Sequence, residues 1–301
     1  MPPSHPTPSP GIPKLIIHGG AGSALDGDKG VEVVRAALQG VIESVYPQLQ
    51  AGLSAQDAVI QACQQLEDDP LFNAGTGSVL QSDGQIRMSA ALMQGQGQSF
   101  SGVINISRVR HPIELAAALQ TSPDRVVAES GATELARELN LPIYNPMTAK
   151  RLQEWLALSQ SERQDRFLTS VAMGTVGAVA LDQNGHLAVA TSTGGRGFER
   201  IGRVSDSATP SGTYADAYAA ISCTGVGEDI LDEGLATRIV VRVGDGFTLQ
   251  AALEKSFAEA RSRQREFGAI GISHTGEIGW NTTTDVLLAA YHDGAGITLT
   301  I

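Results

Sequence analysis

Hydrophobic and polar positions change period several times along the chain, and each change predicts an element. KLIIH (14–18) is a short apolar run that enters a glycine turn, as a strand would, and VEVVRAALQGVIESVYPQL (31–49) carries apolar residues at helical spacing. Ser54, with Asp57 three residues on and Val59, Ile60 and Leu66 beyond it, reads as the capped start of a second helix. QIRMSAALM (85–93) and SFSGVINISRV (99–109) read as strands, followed by a helical stretch that begins near Pro112 and runs, with breaks, to about Arg166. Strands return at Thr175. A glycine- and threonine-rich region follows, then helices around 228–241 and 248–262, and closing strands GAIGISHTG (268–276) and VLLAAYHDG (286–294). Antiparallel hairpins with segregated helices predict an α+β layered fold of stacked sheets covered by helices, more than a doubly wound parallel sheet. No internal repeat stands out.

One stretch asks a chemical question. In MGTVGAVALDQNGHLAVATSTGG (173–195), Val176, Ala178 and Ala180, then Leu187 and Val189, pattern as a hairpin, with Asn184-Gly185 supplying the positive φ angles of a tight turn. Antiparallel pairing would fold Thr193 back beside Thr175, turning a separation of eighteen residues into a contact.

Composition narrows the function classes. With 301 residues and 42% hydrophobic content the chain can bury a globular core. A net charge of −11 without a clustered basic stretch argues against nucleic acid as a partner. Two cysteines, Cys63 and Cys223, are too few for a disulfide framework and fit a reducing cytoplasm. No apolar run reaches membrane-spanning length and no leader pattern opens the chain, so the expectation is a soluble, unexported protein with no membrane partner. MPPSHPTPSPGIP (1–13) reads as a flexible Pro/Ser-rich tail ahead of a single domain, 14–301.

A threonine hydroxyl is a poor nucleophile unless a base removes its proton, and no His, Asp or Glu neighbours Thr175 in sequence. A base could come from elsewhere in the fold. The other solution makes the threonine a chain terminus, so that its own α-amino group, with a pKa of roughly 8, serves as the base. That requires a cut before Thr175. Gly174 suits such a cut because it lacks a Cβ, and an N-to-O acyl shift followed by hydrolysis would free the amine. For an arbitrary Gly-Thr pair, a plain strand start is the stronger reading; context must overturn it.

Five stretches in order supply that context: HGGAG (18–22), DPLFNAGTGSV (69–79), GTVGAVALDQNGHLAVATSTGG (174–195), GRVSDS (202–207) and SCTGVGE (222–228). Together they resemble the plant-type asparaginase and isoaspartyl aminopeptidase family of N-terminal nucleophile hydrolases. The resemblance implies a four-layer αββα sandwich, autocleavage between Gly174 and Thr175 into pieces 1–174 and 175–301, and an (αβ)2 assembly. It implies that Thr175 is the nucleophile and that Thr193 hydrogen-bonds to its hydroxyl and amine. Arg203 would hold a substrate α-carboxylate and Asp206 an α-amino group, with a carbonyl of Gly227 nearby. Thr224 and Gly225 would form the oxyanion hole, the Asn73 side chain would face the site, and Gly19 and Gly20 would support the cleavage site. It implies no organic cofactor, and a sodium ion held by backbone carbonyls of Leu66, Glu67, Asp69, Phe72, Ala74 and Thr76; a hard cation prefers such oxygen ligands, and a plain polar loop is the competing reading.

Elementary chemistry agrees with these assignments. A β-aspartyl compound keeps a free α-ammonium and α-carboxylate, which one fixed positive and one fixed negative group, Arg203 and Asp206, would recognise; a surface ion pair is the alternative for an isolated R-x-x-D. HGGAG lacks the features of a phosphate cradle and reads as a structural turn, His18 as a hydrogen-bonded structural residue, and Cys223 as a small buried side chain. Ser89 and Gln94 stand where the family commonly carries acids, and TTDVLLAAY follows Asn281-Thr282 in place of the usual methionine segment. The expected activity is hydrolysis of isoaspartyl dipeptides and asparagine to release aspartate. An aspartylglucosaminidase-like hydrolase and an unprocessed, non-catalytic binding or scaffold relative are the alternatives.

Overall fold

The computed structural model describes residues 11–23, 27–159 and 174–300. It is a mixed α+β fold with two sheets. The larger has eight strands: β1 (Lys14–Gly22), β2 (Met88–Gln94), β3 (Ser99–Ile106), β4 (Val126–Ala128), β5 (Val176–Leu181), β6 (Leu187–Thr193), β11 (Val286–His292) and β12 (Ile297–Leu299). Their order is β12-β11-β1-β5-β6-β2-β3-β4, antiparallel except for β3 and β4. The smaller sheet runs β10-β9-β8-β7, from β7 (Thr213–Ala215), β8 (Ala219–Gly225), β9 (Phe267–Ser273) and β10 (Ile278–Thr282).

Helices α1 (Gly27–Gln50), α2 (Ala55–Asp68), α3 (Pro112–Ala118), α4 (Glu129–Glu138) and α5 (Ala149–Ser159) lie in the first half; α6 (Gly227–Glu233), α7 (Leu235–Gly244) and α8 (Leu249–Ser262) lie in the second. Three apolar clusters carry the packing. Leu38, Ile42, Val59 and Leu66 of α1 and α2 meet Leu15, Ile17, Val176 and Ala178 of the large sheet. Ile239, Val240, Leu253 and Phe257 of α7 and α8 cover Ile221, Phe267 and Ala269 of the small one. Ile16, Val179 and Val189 face Ala220, Ile270 and Ile272 between the sheets. Strand β5, paired with β1 on one side and β6 on the other, therefore lies in the interior of its sheet with every residue buried.

Several expectations hold with moved boundaries. Ser54 caps α2, its Oγ accepting the Asp57 N–H at 3.1 Å, so the apolar stripe of that helix starts where the capping signal lies. The 175–193 hairpin forms, but only Gly185 takes a positive φ; Asp182 Oδ1 accepts the N–H groups of Asn184 and His186 and shapes the connection. HGGAG is no turn: β1 continues through it to Gly22, with a register shift between His18 and Ala21 against β11.

The helical stretch expected from Pro112 is interrupted by strand β4, and its last residues lie outside the described segments. The helix expected over 228–241 is two, because Gly234 adopts a left-handed conformation between α6 and α7. The glycine- and threonine-rich region contains β8, missed because small residues buried on both faces show no alternation. Within the stretch counted with the tail, Gly11 N–H donates to Gln183 O, and Pro13 O accepts from the Tyr46 hydroxyl.

A buried polar chain joins the two sheets behind the start of β5. His18 Nε2 lies 2.9 Å from Ser222 Oγ, which lies 2.7 Å from Thr191 Oγ1; that oxygen is 2.7 Å from Thr213 Oγ1, which is 2.8 Å from the Ser207 carbonyl. The Thr213 hydroxyl faces two acceptors, Thr191 Oγ1 and the Ser207 carbonyl, and has one proton to share between them. Burial holds the His18 pKa down at about 3, opposed in part by the Thr175 backbone, so the ring stays neutral. The chain passes at close quarters to Gly177, where a Cβ would stand 2.1 Å from Ser222 Oγ and 2.4 Å from His18 Nε2. Gly177→Ala is expected to cost about 1–3 kcal/mol by forcing the sheets apart. Thermal unfolding checks this: a melting temperature several degrees below wild type is expected, and an unchanged one refutes the close contact.

Candidate active site

The ends of β5, β6 and β8 meet at a cleft of about 250 Å³ whose lining includes Asn73, Gly174, Thr175, Thr193, Arg203, Asp206, Thr224, Gly225 and Gly227. All residues expected to contact substrate thus line one cavity. The β5–β6 register pairs Val176 with Ser192, and one step further it sets Thr175 beside Thr193. Thr175 Oγ1 donates to Thr193 Oγ1 at 2.9 Å, and Thr193 Oγ1 also accepts the Gly195 N–H at 3.1 Å. Thr193 is 1% exposed, and β2 pairs Ser89 directly with it, so the hydrogen-bond partner of Thr175 is fixed by the sheet.

The peptide before Thr175 is held on both sides. The Gly174 N–H donates to Gly19 O at 3.1 Å, and the Gly174 carbonyl accepts the Asn73 N–H at 3.2 Å. Gly19 must lack a side chain, since a Cβ there would stand 2.3 Å from the Phe72 ring. Asn73 is committed at every polar group: its carbonyl accepts the Gly194 N–H at 2.8 Å, its Nδ2 donates to Gly195 O at 2.7 Å, and its Oδ1 accepts the Val79 N–H at 2.9 Å. One asparagine therefore ties the loop after α2 to the Gly174 carbonyl and to the end of β6.

Two residues that line the cleft each carry a buried side-chain oxygen with no partner among the described residues: Thr224 Oγ1, and Asp206 Oδ2, which lies toward Gly212 behind the lining. A buried unsatisfied polar atom costs on the order of 1–3 kcal/mol, so packing alone does not account for either. Thr224 and Gly225 close β8; the Cβ position of Gly174 is 3.8 Å from the Thr224 hydroxyl, and Gly225, at φ +127°, is pressed against the Phe267 backbone. Asp206 is 4% exposed, with Oδ1 accepting from the Ser205 hydroxyl at 3.1 Å. Burial raises its pKa to about 6, against the opposing pull of Arg203 and the Ser205 hydrogen bond. Gly227 lets Arg203 and Asp206 come close: a Cβ on it would stand 2.6 Å from both Arg203 Nη2 and Asp206 Oδ1.

Arg203 does not pair with Asp206 as a surface ion pair would. Its Nε and Nη2 both donate to Glu228, at 3.1 Å each. Burial pushes the Glu228 carboxyl up, but Arg203, by charge and hydrogen bond, and Arg196 hold it below the ordinary value. Neither Glu228 nor Arg196 was singled out from sequence. Glu228 closes the quoted SCTGVGE and Arg196 follows TSTGG, but only the folded chain brings either to Arg203.

The loop 69–77 folds back on the end of α2. Glu67 O accepts the Thr76 N–H at 2.7 Å and Asp69 O the Phe72 N–H at 3.2 Å, while Gly75, at φ +52°, would place a Cβ 2.3 Å from Glu67 O. Both carbonyls keep a second lone pair, so these two of the six expected donors are chemically able to take a hard cation. The Glu67 side chain turns the other way, into the core, where Oε1 accepts from Ser192 Oγ at 2.5 Å and Ile113 N–H at 3.1 Å, and burial pushes its carboxyl well up. Among the described residues no cluster of His, Cys, Asp or Glu side chains could hold a metal. Cys63 and Cys223 are free and buried, their thiols pushed well up by burial. Ser89 accepts the Asn105 N–H next to Thr193, whereas Gln94 lies at the far end of β2, about 17 Å along the strand, too far to act on the site directly.

A model of the asparaginase family matches residues 11–301. An isoaspartyl peptidase/L-asparaginase of Nostoc sp. is 58% identical over 300 residues, covering 95% of this chain and 93% of the relative. One of Synechocystis sp. is 53% identical, covering 95% and 89%. A plant-type L-asparaginase of Pyrococcus horikoshii is 35% identical, covering 92% and 95%.

Asp206 is expected to titrate near pH 6 in carbon-detected NMR of the ligand-free protein, anionic above and neutral below. Arg203→Met removes the cation that opposes burial, so the midpoint should move higher; a midpoint near 4 in wild type, or a downward move in the variant, contradicts this electrostatic picture.

Proposed function

The chain belongs to the asparaginase family, and from that premise we propose that it hydrolyses β-aspartyl amides, isoaspartyl dipeptides and L-asparagine, through Thr175 as an N-terminal nucleophile. The observation that carries the reading is the convergence of Thr175, Arg203, Asp206 and Thr224 on one cleft. Asp206 is a buried carboxylate suited to an ammonium, and Thr224 brings a buried hydroxyl suited to an oxyanion. With Arg203 on the same cleft, the three groups complement a molecule with an α-ammonium, an α-carboxylate and a reacting carbonyl.

Maturation comes first. The Thr175 hydroxyl attacks the Gly174 carbonyl carbon, the C–N bond breaks as the nitrogen takes a proton, and water hydrolyses the resulting ester. Gly174 is left as a carboxylate and Thr175 with a free α-amine. The Asn73 N–H on the Gly174 carbonyl supports this step, because it stabilises charge developing on that oxygen.

In the mature site the α-amine takes the hydroxyl proton, Oγ attacks the side-chain carbonyl of the substrate, and Thr224 and Gly225 stabilise the oxyanion. Collapse breaks the amide bond and releases the amine with the transferred proton. Water then cleaves the β-aspartyl ester to aspartate.

The finer architectural reading, a four-layer αββα sandwich of the N-terminal nucleophile type, is supported by the three apolar clusters that alternate helix, sheet, sheet and helix. A single hydrolase domain, 14–301, an (αβ)2 assembly and a cytoplasmic setting belong to the same proposal, the last supported by two buried free thiols. Backbone carbonyls of Leu66, Glu67, Asp69, Phe72, Ala74 and Thr76 would hold a sodium ion, whose role there is to tie the 66–76 loop that carries Asn73; the hydrolytic steps need no organic cofactor.

On a denaturing gel, maturation is expected to convert the 31.4 kDa chain into pieces of about 18 and 13 kDa, in proportion to 174 and 127 residues. Thr175→Ala should remain whole and lose about a thousandfold or more of the activity on β-aspartyl-leucine. Release of the two pieces from that variant, or substantial turnover by it, contradicts the proposal.

A further inference from the structure

Among the described residues, Arg196 is a cation in the nucleophile's cleft without a hydrogen-bonded partner. It follows Gly194 and Gly195, which Asn73 and Thr193 hold in place, and it lines the same cavity as Thr175. Among the described residues its one ion pair is 3.6 Å long, from Nη1 to Glu228 Oε1, beyond ordinary hydrogen-bond length, and its side chain is 37% exposed. Arg203, by contrast, fills Nε and Nη2 with Glu228, so Glu228 is already fixed without Arg196. An exposed guanidinium with unused donors beside a reacting centre suits a carboxylate, which it can grip with two parallel bonds.

Resting on the β-aspartyl reading above, we propose that Arg196 binds the free carboxylate of the leaving amino acid and so makes the enzyme prefer isoaspartyl dipeptides to asparagine. Asparagine has one carboxylate and one ammonium, which Arg203 and Asp206 take up. A β-aspartyl dipeptide adds a second carboxylate, and the cleft has a second arginine.

The spacing fits. Both arginines reach the same Glu228 oxygen, at 3.1 and 3.6 Å, so those two nitrogens are less than about 7 Å apart. The two carboxylate carbons of a β-aspartyl dipeptide are six bonds apart, spanning about 5–7.5 Å according to its torsions. One substrate can therefore engage both guanidinium groups at once. The contact is with the leaving group, so it acts up to the release of the first product and not on hydrolysis of the ester.

The test compares kcat/KM for β-aspartyl-leucine with that for β-aspartyl-leucinamide, which differ only in the distal carboxylate. Wild type is expected to favour the acid by about tenfold or more; Arg196→Met should bring the ratio to near one, and Arg196→Lys should restore part of it. A wild-type ratio near one overturns the assignment without using any variant, and an undiminished ratio in Arg196→Met overturns it as well. A gel showing both maturation pieces confirms that each variant has folded. Asparagine serves as the separate arm: wild type that cleaves none of the three compounds defeats the β-aspartyl reading itself, whereas cleavage of all three without preference between acid and amide defeats only the role of Arg196.

Discussion

The β5–β6 pairing is the constraint on which the site depends. It is an interior pair of the large sheet, buried along its whole length, and its register delivers two threonines eighteen residues apart to a 2.9 Å hydrogen bond. A slip of one residue would turn every side chain on β5 to the other face and separate the two hydroxyls. The sheet resists that slip because β1 and β2 flank the pair with their own ladders, and because apolar clusters occupy both faces.

Around that pair, each element contributes one kind of group. The bulged end of β1 brings Gly19 O to the Gly174 N–H, and the loop after α2 brings Asn73 to the Gly174 carbonyl. Strand β8 of the second sheet brings Thr224, and the loop after β6 brings Arg203 and Asp206. Electrostatics divides the cleft. Asp206 is buried enough that its carboxyl rises to about 6, while Glu228 stays ionised against Arg203. A buried carboxylate gains more from a bound ammonium than a solvated one would, because burial deprives it of water.

Much of this was legible in the sequence, for identifiable reasons. The hairpin shows as alternating residues around a glycine turn, α2 as a capped apolar stripe, and the family as five short stretches in a fixed order. What escaped depends on contacts between distant segments. Strand β8 is built of small residues buried on both faces and has no period to read. The three-residue strands β4, β7 and β12 are too short to show one. HGGAG was read as a turn because glycine runs commonly break strands, whereas here the missing side chains admit the Phe72 ring. Glu228 and Arg196 join the site through ion pairs, which no local pattern announces.

The central claim is that Thr175, with a free α-amine, carries the acyl group during turnover. The most direct measurement is mass spectrometry of enzyme quenched while cleaving a slow β-aspartyl substrate. A β-aspartyl ester on the side-chain oxygen of Thr175, at the first residue of the 175–301 piece, is the expected result. Full activity from material in which Gly174 remains joined to Thr175, or an adduct on any other residue, would contradict the account.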